Sequence, residues 1–216
     1  MAKDASSAAD FLPADQNLTS LKDAAVNCRG CDLWREATQT VFGEGLAKAR
    51  MIMVGEQPGD KEDLAGKPFV GPAGRLLDRA LDEAGIARQE VYVTNAVKHF
   101  KWQARGKLRI HKKPGAREIA ACRPWLAAEI GAVKPRVIVA MGSTAAQSIF
   151  GRDFKLTQHR GEFIDSPLAP CVIATVHPSA ILRAPDEESR HDAMKRFIGE
   201  LRIAASALRD KTGQAQ

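Results

Sequence analysis

The sequence predicts a three-layer α/β/α sandwich built on a central, mostly parallel sheet of four strands. Three observations carry that expectation. Four short runs are continuously apolar, without the alternation of a half-exposed strand: Arg50–Gly55, Glu90–Thr94, Arg136–Gly142 and Cys171–Val176. Such runs mark strands covered on both faces, the usual state of parallel strands. Stretches with helical spacing lie between them, and strands alternating with helices give a layered α/β domain. Finally, no internal repeat or interdomain linker interrupts the 216 residues, a length suited to one sizeable core.

Residues 1–17 are small and polar and are expected to form a flexible tail, leaving 18–210 as a single domain. Cys28-Arg-Gly-Cys31 precedes every strand, so it reads better as half of a metal site than as a thioredoxin-like redox pair. Cys122, Cys171 or a histidine would supply the remaining ligands. After the first strand, Glu56-Gln57-Pro58-Gly59-Asp60 and Asp63 place carboxylates and an amide at a strand end. They serve either as a turn with a helix cap or as groups that orient a nucleophile. Gly71-Pro72 opens a helix whose apolar face is Leu76, Leu77, Ala80, Leu81 and Ala84, and Gly85 ends it. Phe69 lies between glycines, where it is a stacking face for a flat heterocycle or a core plug.

The second strand ends at Asn95, whose carboxamide can accept one hydrogen bond while donating another and so read the edge of a planar base. An Asx-turn is the alternative. From Lys98 to Arg117 the chain carries eight cations and no carboxylate, with Phe100 and Trp102 interleaved and His111 alone near the middle. Cations neutralise phosphates and flat rings stack on bases, so this stretch reads as a nucleic-acid-binding loop. A histidine there can act as acid, base or nucleophile near a sugar–phosphate backbone. A short helix is expected from Pro124 to Ile130, another opens at Gly142-Ser143-Thr144, and a last one carries Met194, Phe197, Ile198, Leu201, Ala205 and Leu208 on one face. The fourth strand delivers His177-Pro178-Ser179, an apolar Ile181 and Arg183, a set suited to entering a base stack and flipping a nucleotide out. Ligands of such folds sit beyond the carboxyl ends of the strands, where these polar turns gather.

Hydrophobic residues make up 44% and charged residues 27%, as in a soluble globular protein, and the net charge of +6 favours a polyanionic partner. No apolar run approaches the roughly 20 residues that cross a bilayer, and the first residues lack the apolar core of a secretory signal. A cytoplasmic protein with reduced or metal-bound cysteines is expected.

Four motifs in order, Gly55–Asp63, Lys67–Arg75, Val93–Lys98 and His177–Arg183, resemble those of the family-4 iron–sulfur uracil-DNA glycosylases, and the resemblance spans about Cys28 to Leu208. The inserted Gly106-Lys-Leu-Arg-Ile-His111 is similar to the Lys-Arg-Arg-Ile-His loop of the UdgX branch, with Leu108 in place of an arginine. The resemblance implies a uracil-DNA glycosylase fold acting as a monomer on single- or double-stranded uracil-containing DNA. It implies a [4Fe–4S] cluster held by Cys28, Cys31, His99 and Cys122, with Cys171 as the competing fourth ligand. Gly55, Asp60, Phe69 and Asn95 would hold uracil, and Lys107, Arg109, Lys112, Ser179, Ile181 and Arg183 would hold DNA. His177 would stabilise the leaving base. His111, oriented by Glu56 and Gln57, would attack C1′ and leave the protein joined to the abasic deoxyribose. A glycosylase that turns over, with His111 only touching phosphate, and a non-catalytic zinc-stapled DNA-binding module are the other readings.

Overall fold

The computed structural model describes residues 7–209. Its central sheet contains the four expected strands, β1 (Met51–Gly55), β2 (Val91–Asn95), β5 (Val137–Met141) and β7 (Cys171–Thr175), all parallel. A fifth, two-residue strand, β6 (Phe163–Ile164), runs antiparallel along the outer edge of β7, giving the order β2-β1-β5-β7-β6. Sequence reasoning misses β6 because two residues carry no period.

Alternate strand residues face opposite layers, which is how continuously apolar strands serve two cores. Met51, Met53, Val91, Val93, Val137 and Val139 face α3 (Pro72–Ala84) and α8 (Glu187–Arg209). Ile52, Val54, Tyr92, Ile138 and Ala140 face α4 (Ala116–Val133) and α5 (Ser143–Phe150). The three-layer expectation holds.

The expected short helix after Pro124 is only the second half of α4, which begins eight residues earlier. Proline removes one N–H from a helix. The carbonyl that loses its partner belongs to Ala120, on the water-exposed side, so the helix continues. Residues 1–6 of the expected flexible tail, and residue 210 of the expected domain, lie outside the described residues. At the start of the described part, a 3-10 turn over Ala8–Phe11 is capped by Ser7, and Ala8 is buried in one cluster with Trp125 of α4. With α1 (Leu18–Ala25), this segment covers a third cluster containing Cys28 and Cys122.

The basic stretch is a β-hairpin, β3 (Trp102–Arg105) and β4 (Leu108–His111), with Trp102 opposite His111 and Ala104 opposite Arg109. Gly106 closes its two-residue turn in the left-handed region, φ +59, open to glycine without strain. The remaining helices are α2 (Asp60–Ala65), α6 (Leu156–His159) and α7 (Pro178–Leu182). None of the described helices is long and apolar enough to cross a membrane.

Candidate active site

Among the parallel strands the order reverses between β1 and β5, since β1 leads to β2 on one side and has β5 on the other. Connections leaving such a point diverge and open a crevice at the strands' carboxyl ends. A cavity of about 900 Å³ lies there, lined by Glu56 and Gln57 after β1, Asn95 from β2, Thr144 from α5 and His177 after β7. Asp60, Phe69, His111, Ser179 and Arg183 also line it, so most of the residues expected at the site converge.

Gly55, at the end of β1, packs against two of these groups. A Cβ there would fall 2.3 Å from Asn95 Oδ1 and 2.8 Å from Phe69 Cζ, so only a bare backbone lets the amide and the ring share this corner. Phe69 itself holds φ +57, an uncommon conformation for a side chain of its size, and its ring lies 6.0 Å from that of His177. Glu62 braces the loop by accepting from Gly71 N–H (2.8 Å) and Gly59 N–H (3.1 Å). Asn95 is 3% exposed and lines the cavity, and no side-chain hydrogen bond ties its carboxamide to another described residue. Asn95 therefore forms no Asx-turn. An amide that faces a cavity with both its donor and its acceptor unused is suited to hold a ligand there.

The tautomer of His177 follows from its neighbours. Its Nδ1 accepts from the Ser179 backbone N–H (3.2 Å), which can only donate, so the ring proton sits on Nε2. Ser179 Oγ lies 2.8 Å from the same nitrogen and accepts from Arg183 Nη1 at 3.1 Å. Burial, with the charges of Arg183 and His111 nearby, lowers the His177 pKa from 6.5 to about 4. The ring is thus a neutral donor at physiological pH. Below pH 6.5 an unfolded chain takes up the proton that the folded chain refuses, so stability present above 6.5 drains away as pH falls towards 4. Melting temperature followed across that window should decline less steeply in His177→Gln than in the parent; equal slopes would show that His177 is not neutral when folded.

His111 Nε2 stands 3.4 Å from Glu56 Oε1, and the other Glu56 oxygen accepts from Thr144 Oγ1. Thr144, in the first turn of α5, therefore aims the carboxylate at the histidine. Gln57, expected to help His111 chemically, is committed to backbone. Its amide donates to Lys101 O (3.1 Å) and Lys112 O (3.0 Å) and accepts from Lys101 N–H (3.3 Å), pinning both roots of the hairpin that carries His111.

Two expected DNA contacts are corrected. Arg109 turns inward: its Nε meets Asp60 Oδ1 and its Nη1 meets Asp63 Oδ2, both at 2.6 Å, while the guanidinium lies over Phe100 and Trp102. Burial works against its charge, but the bonds to Asp63 and Asp60 outweigh it and raise the pKa. Arg109 fastens the hairpin to α2, and Asp60 spends one oxygen on that bond. Ile181 is 1% exposed and belongs to the core, whereas Leu182, one step around the short helix, is 38% exposed and lines the cavity. Helix phase, had it been applied to α7, would have selected Leu182. Thr144 was also missed as a site residue, and Lys113, one of the eight cations of the basic stretch, lines the cavity just beyond the hairpin. Lys107 and Lys112 are exposed as expected.

The cysteines divide. Cys28 Sγ accepts from Trp125 Nε1 (3.1 Å) and Cys122 Sγ from Lys98 N–H (3.2 Å). Burial pushes Cys122 up to about 12, and Cys31 and Cys28 lie close enough to add to the shift. Cys171 heads β7 beside Val137, three strands and a strand's length from β2's carboxyl end, which carries Lys98. His99 is buried with its Nε2 2.9 Å from Thr40 Oγ1, and burial lowers its pKa to about 4. No group of three or more His, Cys, Asp or Glu among the described residues is arranged around one ion position.

Comparison with known proteins places this architecture. Residues 42–202 match the profile of the Uracil DNA glycosylase superfamily. A type-4 uracil-DNA glycosylase of Thermotoga maritima is 41% identical over 76% of this chain and 82% of its own length. One from Archaeoglobus fulgidus is 35% identical over 86% and 94%, and a type-5 uracil-DNA glycosylase of Pyrobaculum aerophilum is 28% identical over 76% of both. With a crevice at the strand-order reversal and a superfamily match spanning it, the chain belongs to the uracil DNA glycosylase superfamily.

Proposed function

We propose that this chain removes uracil from DNA, acting as a monomer, and that His111 then captures the abasic sugar. The observation that carries uracil recognition is the Asn95 carboxamide, which lines the cavity beside the Phe69 ring with no side-chain hydrogen bond to another described residue. Its N–H meets uracil O4, its oxygen accepts from N3–H, and Phe69 stacks on the base. His177 Nε2–H donates to O2, where negative charge gathers as the C1′–N1 bond breaks; a neutral donor placed there in advance stabilises that charge without rearrangement. Flipping the nucleotide leaves a gap in the stack that Leu182 fills.

Capture by His111 rests on its place in the cavity 3.4 Å from Glu56. An imidazole nitrogen bonds to C1′ in place of N1, and the ring proton passes by way of Glu56 to the departing uracil. A positioned imidazole has the effective concentration of an intramolecular group, which a diffusing water lacks. Turnover with water as the attacking group is the second reading, favoured by the type-4 names of the relatives. Uracil release from DNA tests the first step. A detergent-stable protein–DNA band, against many uracils released per chain, separates the two readings.

We infer that Cys28, Cys31 and Cys122, which share one hydrophobic cluster, hold a [4Fe–4S] cluster. N–H groups donate to two of the sulfurs, from Trp125 to Cys28 and from Lys98 to Cys122, and hydrogen bonds to ligand sulfurs tune a cluster's potential. His99, next to Lys98, is neutral and is the proposed fourth ligand. The cluster would tie the N-terminal segment to α4 and to the chain entering the hairpin. Cys171→Ser should keep iron and brown colour, and Cys122→Ser should lose both. Iron kept in His99→Ala but lost in Cys171→Ser would show the wrong fourth ligand.

A further inference from the structure

The hairpin has two faces. Arg109 and His111 face the body of the protein, so Leu108 and Ile110 face away from it. Leu108 is 66% exposed and Ile110 39%, two large apolar side chains adjacent on one face. Isolated exposed leucines are ordinary, but this pair sits within the most basic stretch of the chain. Arg105 lies directly across from Leu108, Lys107 is in the turn, and Lys112 and Lys113 follow the strand. The clamp formed by Gln57, Arg109 and the Trp102 indole, which donates to Glu36 O at 2.9 Å, holds this face outward.

We propose that Leu108 and Ile110 form a subsite for an unpaired nucleobase of the strand that carries the uridine, so that this protein prefers single-stranded or locally unpaired uracil-DNA. The subsite rests on the uracil-DNA reading of the cavity. An apolar pair rimmed by cations matches a base, whose faces are apolar, joined to phosphates on both sides. It matches a paired base poorly, because stacking inside a duplex hides those faces. Spacing agrees. At about 3.3 Å per residue, Leu108 lies roughly 10 Å along the strand from His111, the length of about three stacked nucleotides. An arginine at position 108, as in the UdgX loop, would meet phosphate; a leucine there exchanges ionic for base contact.

Oligonucleotides carrying a non-cleavable 2′-fluoro-uridine test this by fluorescence anisotropy, with neighbouring nucleotides replaced one at a time by a baseless tetrahydrofuran residue. The wild-type chain should bind about tenfold more weakly when one particular neighbouring base is missing. The Leu108→Ser/Ile110→Ser variant should bind both oligonucleotides alike, and Leu108→Arg should lose the base dependence while gaining a steeper salt dependence. A wild-type chain indifferent to every neighbouring base, or a double variant that keeps the dependence, would overturn the subsite. Equal binding of uridine and thymidine oligonucleotides, with the neighbour dependence intact, would instead overturn the uracil reading and leave the subsite standing.

Discussion

Mixed with uracil-containing DNA and then boiled in detergent, the wild-type chain should run as a shifted band, and His111→Ala should show none. Tight binding through Lys107, Lys112 and the other exposed cations of the hairpin is the competing explanation of any slow release. The two differ in what survives denaturation: ionic contacts vanish in detergent and heat, whereas a carbon–nitrogen bond to C1′ persists. Thymine-DNA should give no band. Glu56→Gln keeps an oxygen for the Thr144 hydroxyl but can no longer take a proton from His111, so crosslinking should slow by about 10²-fold or more while DNA binding holds. His111→Ser should recover some turnover, because water can enter the space the ring vacates. A covalent band that survives in His111→Ala would identify another nucleophile, with Lys61 and Lys113, both in the cavity lining, as the lysines to test.

The central sheet was legible because each buried strand is a continuous apolar run, and the residues just past each run had to gather at the carboxyl ends. That logic found Glu56, Asn95 and His177. The hairpin was not legible as one. Trp-Gln-Ala-Arg and Leu-Arg-Ile-His alternate, but the charges mask the period, and the inward face is held by ion pairs, not by apolar packing. Arg109 shows the cost of reading charge by composition. Its partners Asp60 and Asp63 lie about fifty residues earlier, and no local pattern announces that a cation will be drawn under its own strand. Ile181 and Leu182 show the same limit at finer scale: the motif contains both apolar residues, and only the phase of a five-residue helix decides which meets water.

Asn95→Asp should lower kcat/KM for uracil by on the order of 10²-fold or more, with its fold intact. The side chain has almost the same shape, and the original amide makes no hydrogen bond to other described residues, so nothing structural is lost on substitution. What changes is the match to the base. The carboxylate still accepts from N3–H, but it turns an oxygen towards O4 where an N–H had donated, in a buried corner where water cannot screen the repulsion. Cytosine carries an amino donor at position 4, so the penalty on that base should be smaller and the preference for uracil over cytosine should narrow. Single-turnover excision on uracil and cytosine oligonucleotides, alongside a melting curve, separates recognition from folding. A variant that excises uracil at the wild-type rate would remove Asn95 from the recognition of the base and leave its unpartnered carboxamide without a ligand.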